Sequence, residues 1–204
     1  MSAAVGRPRQ FDDAYVLQQA MMLFWEKGYE AVSVRDLEQA TGLKTSSLYN
    51  RFHSRDALFV AVLQFYRERV IGSRIARHLQ PSQGLAGIHE FLRSTYRQPG
   101  PYHACLLANS WSEVSAEFAQ ARDVMRGGIR EVRKALLQQL RACRQRGQLP
   151  ADARCRVLAD YLLMSLQGIL LTARFETSKN RLDRMVECVM TSLPLIYLQR
   201  EKKT

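Results

Sequence analysis

Proline and glycine are scarce in this chain of 204 residues, with six and eleven copies, and no segment alternates β-branched with polar residues. Few chain breakers leave room for long helices, and the missing alternation disfavours strands. Hydrophobic residues make up 47% of the chain, the usual share for a globular protein that buries a core. The sequence therefore predicts an all-α fold of about nine helices.

Cysteine is also sparse and is not arranged for metal binding. The four cysteines, at 105, 143, 155 and 188, form no Cys-x-x-Cys pair and no zinc-type group with histidine. Because the N-terminus lacks the apolar run of a secretory leader, we expect reduced thiols in a cytoplasmic protein. No metal site and no cofactor are predicted.

Long hydrophobic runs are missing as well. The most apolar stretch, residues 157–175, contains Asp160, Gln167 and Arg174. It falls short of the roughly 20 mostly apolar residues that a membrane helix needs. We interpret it as a buried helix and expect no membrane partner.

The residue patterns of common catalytic sites do not occur in the chain. None of the four histidines lies in a His-Glu-x-x-His motif, and neither a nucleophile elbow nor a phosphate-binding loop is present. An enzyme is therefore not expected. A helical scaffold at a membrane surface stays open as an alternative, because basic residues recur on one predicted helix face over residues 122–146.

The formal charge of +11 suits an anionic partner such as nucleic acid. Most of this excess lies after residue 80, however, so charge alone does not locate a DNA-binding surface. The location has to come from a motif.

Residues 33–52 have the pattern of a helix-turn-helix. Ser33 begins a helix with Asp36 in the position of a capping box, and Gly42 supplies a tight turn that residues with side chains resist. A second helix follows over about residues 44–50. Four apolar side chains are expected to fix the crossing of the two helices: Leu37, Leu43, Leu48 and Phe52.

The second helix presents polar side chains short enough to enter a major groove, where hydroxyl and amide groups hydrogen-bond with bases or phosphates. These side chains belong to Lys44, Thr45, Ser46, Ser47, Tyr49 and Asn50. The pattern therefore favours DNA binding.

Together with these motifs, residues 6–70 resemble the DNA-binding region of the TetR family of transcriptional regulators. The resemblance is carried by Gly6-Arg7-Pro8-Arg9, Leu23-Phe24-Trp25-Glu26-Lys27-Gly28-Tyr29, Ser33, Gly42, Ser47-Leu48-Tyr49-Asn50-Arg51-Phe52 and Ser54-Arg55-Asp56-Ala57-Leu58-Phe59. It implies a sequence-specific DNA-binding regulator, by family default a repressor.

The resemblance also assigns roles to individual residues. Lys44 and Tyr49 are expected on phosphates, and Arg55 on the DNA backbone. Thr45 and Ser46 are expected at base edges. Arg7 and Arg9 suit the minor groove or phosphates. Ser33, Ser47 and Asn50 complete the predicted DNA-binding set.

Two positions depart from the family pattern. Glu38 stands where relatives often have alanine at the helix crossing, and we expect it to tilt outward. Asn50 occupies a position often filled by His or Tyr, so a base preference cannot be transferred.

The expected domain organisation is an arm and helix-turn-helix over residues 1–53, a connecting helix over 54–80 and a ligand-binding and dimerisation domain over 81–204. One motif contacts only half of a DNA site, so a homodimer is required. The last two helices, about residues 151–176 and 179–199, are the expected interface. The alternative is that their apolar residues pack only within the monomer.

A cavity for a small effector is expected among the middle helices. Its aromatic and methionine lining favours an apolar or aromatic ligand, and Cys105, predicted at a helix N-terminus, could also react with an electrophile. The predicted lining residues are Phe91, Tyr96, Cys105, Trp111, Met125, Tyr161, Met164 and Gln167, with Phe118 and Phe175 as further candidates. Each of them could equally be an ordinary core residue.

Overall fold

The computed structural model describes residues 12–97 and 105–193, and all regular structure within those two ranges is helical. When the continuous fourth helix is taken as one unit, this part of the chain has nine helices. The all-α prediction is confirmed.

The first three helices form a small N-terminal unit, here called the head. They are α1 (Asp13–Lys27), α2 (Val34–Thr41) and α3 (Thr45–Phe52). α1 packs on α2 and on the beginning of the fourth helix. Phe24, Leu37 and Leu48 are fully buried at the centre, and the Phe24 ring meets the Phe59 ring edge-on at 4.9 Å. The head therefore has an apolar core that includes the fourth helix.

The fourth helix, α4, joins the head to the rest of the chain. It is α-helical over Arg55–Tyr66, π-helical over Arg67–Gly72 and α-helical again over Ser73–His78. It ends at His78, two residues before the end expected for the connecting helix over residues 54–80. Tyr66, just before the π-helical turn, is fully buried, so α4 is anchored where its geometry changes.

The remaining helices form a larger unit, here called the body. After a 3-10 turn at Pro81–Gln83, they are α5 (Gly84–Ser94), α6 (Leu106–Trp111), α7 (Ala119–Gln145), α8 (Cys155–Thr172) and α9 (Lys179–Ser192). The long α7 is central because it packs on α4, α5, α6 and α8.

Two helices of the body are shorter than the sequence pattern predicts. The sequence pattern predicts one long amphipathic helix over about residues 115–146. α7 begins at Ala119 instead, because the Phe118 amide donates to the Ser115 carbonyl at 3.2 Å in a preceding turn. α8 spans Cys155–Thr172 instead of residues 151–176, since a turn from Pro150 to Ala153 precedes it. The part of α9 predicted beyond residue 193 lies outside the described residues.

One side of α8 packs into the body and the other does not. Leu158, Leu162 and Leu166 are buried. The opposite side carries an apolar stripe, defined by the exposed residues Val157, Met164, Leu171 and Phe175. Among the described residues, α8 is the one helix long and apolar enough, by length and composition, to cross a membrane. Its length and composition therefore contradict the expectation that this stretch is too short and too polar to span a membrane. The leucines that α8 buries in the core account for part of its apolar character.

Candidate DNA-binding surface and effector cavity

The beginning of α2 is fixed by a reciprocal cap. The Asp36 amide donates to the Ser33 hydroxyl at 3.2 Å, and the Ser33 amide donates to the Asp36 carboxylate at 2.9 Å, which confirms the predicted capping box. Lys27 Nζ lies 2.7 Å from the same carboxylate. The hydrogen bonds from Lys27 and then from Ser33 hold the pKa of Asp36 well below its usual range. The carboxylate therefore stays ionised at the helix N-terminus, where the dipole favours an anion.

The turn between α2 and α3 depends on Gly42 and its neighbour. Gly42 has φ +72°, the left-handed conformation that favours glycine. The buried Thr41 hydroxyl donates to the Leu37 carbonyl at 2.7 Å and accepts from the Leu43 amide at 3.3 Å. The predicted glycine turn is confirmed, but sequence reasoning missed Thr41, whose only signal was a hydroxyl immediately before the glycine.

Glu38 does not tilt outward, and that prediction is wrong. Its Oε1 accepts from the Thr45 amide at 2.5 Å and from the Thr45 hydroxyl at 2.6 Å. Lys44, the residue before α3, provides no side-chain cap, so a carboxylate from α2 satisfies the first turn of α3. The hydrogen bonds from Thr45 lower the pKa of Glu38. An alanine at this position could not make this contact.

The outer side of α3 brings together most of the predicted DNA-binding residues. Leu48 points inward and is fully buried, which fixes the rotation of the helix. Arg51 forms an ion pair with Asp13 of α1, so α3 is attached at both ends. Around the inward Leu48, four residues are exposed and two are half-buried: Lys44, Ser46, Ser47 and Asn50, and Thr45 and Tyr49.

Arg55, predicted to contact the DNA backbone, has its guanidinium bound within the head. Its Nε donates to the Val32 carbonyl at 3.0 Å, its second amino group donates to the Tyr29 carbonyl, and its guanidinium lies 4.3 Å from the centre of the Tyr29 ring. These bonds tie the segment before α2 to α4. The predicted DNA-binding residues Arg7 and Arg9 lie outside the described residues.

The end of α1 contacts the body through the carboxylate of Glu113, which no sequence motif singles out. The Tyr29 amide donates to Glu113 at 2.5 Å. Gly28 has φ +85°, and Glu113 occupies the space where a side chain at Gly28 would lie. The Tyr29 hydroxyl donates to Asp56 at 2.7 Å. Burial, and to a smaller extent this hydrogen bond, raises the pKa of Tyr29 to about 12. Head and body are thus joined by polar contacts near α6.

An apolar cavity of about 460 Å³ lies between α6, α7 and α8. It is lined by Leu107, Ala108, Trp111, Met125, Arg126, Ile129, Arg130 and Gln167. The guanidinium groups of Arg122 and Arg126 lie 4.5 and 5.4 Å from the centre of the Trp111 ring. This volume falls within the range of small-molecule sites.

A second, more enclosed cavity of about 30 Å³ adjoins the first, because Ile129 and Gln167 line both. Phe91 and Cys105 also line it. Cys105 is 8% exposed and is the residue before α6, instead of lying in its first turn. Five of the eight predicted lining residues therefore come together: Phe91, Cys105, Trp111, Met125 and Gln167.

The other three predicted lining residues lie elsewhere. The Tyr96 hydroxyl donates to Asp183 of α9 at 2.6 Å, because α5 and α9 pack together. Tyr161 is directed at α9, with its hydroxyl 3.5 Å from the Val189 carbonyl. Met164 is 67% exposed in the apolar stripe. The helical periodicity of α8 did not distinguish its inner side from its outer side.

The two further candidates also lie outside the cavity. Phe118 packs against Tyr29, with ring centres 6.0 Å apart. Phe175 is 75% exposed in the apolar stripe. Within residues 12–97 and 105–193, no group of three or more His, Cys, Asp or Glu residues could hold a metal ion.

The basic face of α7 is partly paired with other protein groups. Arg122 donates to the Val114 carbonyl at 2.7 Å, and Arg133 forms an ion pair with Asp160 of α8 at 2.5 Å. Arg126 lies 3.2 Å from Asp123. Several of the arginines that suggested a membrane surface therefore hold the body together.

Both parts of the chain match known family models. Residues 16–62 match the model described as bacterial regulatory proteins, tetR family, and residues 81–189 match the tetracyclin repressor-like C-terminal domain.

Similar proteins extend over nearly the whole chain. The HTH-type transcriptional repressor ComR of Escherichia coli K12 is 30% identical over 194 residues, which cover 93% of this chain and 91% of ComR. The repressor Rv1474c of Mycobacterium tuberculosis is 30% identical, over 87% of this chain and 90% of its own. A cysteine mutant of the regulator CifR, solved in complex with a 26-bp double-strand operator DNA, superposes with a TM-score of 0.83 at 28% identity. That match covers 92% of this chain and 100% of the CifR chain.

Proposed function

From the premise that this chain belongs to the TetR family of DNA-binding transcriptional repressors, we infer that it binds its operator as a homodimer through α3 and releases it when a small apolar or aromatic molecule occupies the cavity beside α6. A repressor of this kind acts in the cytoplasm. We keep the division into an arm and helix-turn-helix, a connecting helix and a ligand-binding domain as part of this proposal.

The DNA-binding part of the proposal depends chiefly on the outer side of α3. Buried Leu48 fixes which side of α3 faces outward. Most of the side chains on that outward side are short and polar. Lys44 and Tyr49 would contact phosphates, and Thr45 and Ser46 would contact base edges. Ser33, Ser47 and Asn50 would complete the surface, with Arg7 and Arg9 of the arm in an adjacent groove. Arg55 is left out because its guanidinium is bound within the head.

The test is operator affinity after removal of the two phosphate contacts. Lys44→Ala combined with Tyr49→Ala should weaken binding to a duplex selected from a randomised DNA library and should reduce the dependence of affinity on salt. Fluorescence anisotropy at several salt concentrations measures both effects. Lys179→Ala, at the exposed beginning of α9, is the matched control and should behave like the wild type. Equal binding by the double variant would contradict the proposal.

Dimerisation through α8 and α9 is supported by the apolar stripe. Met164 and Phe175 expose most of their side chains, and an exposed apolar surface of this kind is typical of an interface. Two copies paired through these helices would place two α3 helices on one side of the dimer, as binding to two half-sites requires.

Effector release is supported by the contacts that connect the cavity to the head. Trp111 lines the cavity, and Glu113, two residues later, accepts from the Tyr29 amide. A ligand that displaces Trp111 would change this contact and the position of α4, and so favour dimers with a different α3 spacing.

The fluorescence of tryptophan reports on this proposal. A neutral aromatic probe, naphthalene, should change the emission of the wild-type protein and lower its operator affinity. Ala108→Trp, which fills the cavity, should abolish both responses to naphthalene, whereas Ala116→Trp, at an exposed position before α7, should not abolish the loss of affinity. Operator binding that is insensitive to naphthalene and to neutral aromatic compounds of similar size would contradict an aromatic effector.

An electrophile is the second candidate effector, because Cys105 lines the enclosed cavity. Modification of this thiol would insert a group among buried side chains. Brief treatment with N-ethylmaleimide followed by mass spectrometry tests the idea, with the exposed Cys188 as an internal reference. Operator release that tracks modification of Cys105 supports it, and release without modification of Cys105 contradicts it.

A further inference from the structure

The Thr45 hydroxyl at the beginning of α3 is already bound within the protein. It donates to Glu38 Oε1 at 2.6 Å, and the Thr45 amide donates to the same oxygen at 2.5 Å. Two donors from one residue converge on one carboxylate oxygen, so the rotation of the Thr45 side chain is fixed. Both bonds lower the pKa of Glu38, and the acceptor therefore remains charged at neutral pH.

A hydroxyl group has one proton to donate and two lone pairs to accept with. Because the proton of Thr45 is directed at Glu38, only the lone pairs are left for another partner. Thr45 is half-buried instead of buried, so part of this residue faces outward, and the proposal takes its hydroxyl oxygen to lie on that part. Towards DNA, Thr45 is therefore a hydrogen-bond acceptor and not a donor.

Each base pair presents one amino donor in the major groove, and the base pair's orientation decides which strand carries it. Adenine presents its N6 amino group and cytosine its N4 amino group, whereas guanine and thymine present only acceptors and the thymine methyl group. We propose that Glu38 and Thr45 form a specificity-determining pair that requires adenine or cytosine on the strand facing Thr45. This inference rests on the proposed function, because it assumes that α3 lies in the major groove.

Neighbouring Ser46 provides the contrast. Ser46 is exposed on the same helix, and among the described residues no protein group holds its hydroxyl. This hydroxyl can rotate to donate to guanine or thymine or to accept from adenine or cytosine. We therefore expect a preference for adenine or cytosine opposite Thr45, whose hydroxyl is bound to Glu38, and no such preference opposite Ser46.

The experiment is selection from a randomised double-stranded DNA library, followed by sequencing of the bound fraction. Full-length wild-type protein should enrich a two-fold symmetric sequence with adenine or cytosine at one position in each half-site. Glu38→Ala frees the Thr45 hydroxyl, so preference for these bases over guanine and thymine at that position should fall by about fivefold, the worth of one hydrogen bond. Thr45→Val keeps the amide bond to Glu38 and should lose the preference as well.

Two variants separate base contact from a structural effect. Glu38→Gln keeps an oxygen in the position of Oε1, so it should keep the preference while its affinity for all duplexes rises, since a negative charge near DNA is removed. Ser46→Ala should leave the base at the Thr45 position unchanged. If Glu38→Ala does not fold, Glu38→Met takes its place, because methionine fills similar space but leaves the Thr45 hydroxyl without its carboxylate acceptor.

Each outcome is decisive. If the wild type enriches a symmetric sequence and every variant keeps the same base at every position, the pair contacts no base and the inference is overturned, while the proposed function stands. If Thr45→Val relaxes the preference and a folded Glu38→Ala does not, Thr45 acts without Glu38, and the inference is again overturned. If the wild type enriches no sequence, the proposed function itself fails.

Discussion

The head and the body of this protein differ in the sequence separation of the polar contacts that hold their helices together. In the head, polar side chains close in sequence satisfy the helix ends, as in the pairs Ser33–Asp36 and Glu38–Thr45. In the body, a buried amide such as that of Gln139 donates to the distant Gly84 carbonyl at 2.8 Å. Local chemistry determines the head, whereas packing between residues far apart in sequence determines the body.

The two regions also differ in what they leave exposed. The outer side of α3 is polar, while the body leaves an apolar stripe on α8 and an apolar cavity of about 460 Å³. A polar surface on a rigid helix suits a partner of fixed geometry such as duplex DNA. An apolar cavity and an exposed apolar stripe suit partners that bury apolar surface. We therefore expect substitutions in the two regions to impair different properties of the protein: DNA binding in the head, and dimerisation or ligand binding in the body.

The largest effect is expected from the apolar stripe. Leu171→Asp combined with Phe175→Asp should convert the dimer into a monomer, because two charges would enter an apolar interface. Operator affinity should fall on the order of 100-fold or more, since the second half-site no longer binds intramolecularly. Sedimentation and operator titration measure the two effects. Gln138→Asp, on the exposed side of α7, is the control, and a double variant that stays dimeric would contradict the assignment.

A matched pair of core variants sharpens the comparison. Leu48 of α3 and Leu140 of α7 are both fully buried, so replacement of either by alanine should cost about 2–5 kcal/mol in the free energy of unfolding. Urea unfolding measures this cost. Among molecules that remain folded, Leu48→Ala should also weaken operator binding, because Leu48 fixes the rotation of α3. Equal operator affinity of the two folded variants would show that the rotation of α3 does not depend on Leu48.

A smaller effect is expected from the cap of α2. Ser33→Ala removes the hydroxyl that accepts from the Asp36 amide and should lower the free energy of unfolding by about 1 kcal/mol. Chemical denaturation of the full chain measures it. Ser178→Ala, at the corresponding cap of α9, is the counterpart in the body. If Ser178→Ala lowers the free energy of unfolding and Ser33→Ala does not, the result would contradict the view that local caps matter most in the head.

The head could be predicted closely from the sequence because its determinants are local. The type and spacing of Ser33 and Asp36 predict a capping box, and Gly42 predicts a left-handed turn. The structure contains both. The orientation of Glu38 could not be predicted, since it depends on the distance between two helix ends. Arg55 illustrates the same limit: its position at the beginning of α4 was evident, but the carbonyl groups within its reach were not.

The body could be predicted only as a set of helices. The sequence indicated that residues 157–175 are the most apolar stretch of the chain and form a helix, but not which side of that helix packs inward. Met164 was therefore predicted for the cavity and is exposed, while Leu107 and Ile129 line the cavity and were not singled out. Nothing in the spacing of Glu113 pointed to Tyr29, because that contact joins residues 84 positions apart.

The smallest expected effect is a pH dependence of the free energy of unfolding, which should appear at one ion pair in the head and at one in the body. Hydrogen bonds from Lys27 and Ser33 lower the folded-state pKa of Asp36 below the unfolded value of 3.8. A lowered pKa contributes stability that is complete above the unfolded pKa and is lost as the pH falls through the folded-state pKa. Asp36→Asn should therefore be less stable than the wild type at pH 7, and the difference should begin to narrow near pH 4. In the body, Arg133 similarly lowers the pKa of Asp160, so Asp160→Asn should follow the same pattern. Urea unfolding between pH 7 and pH 3 measures both, and a difference that stays constant at either site would contradict the ionic contact assigned there.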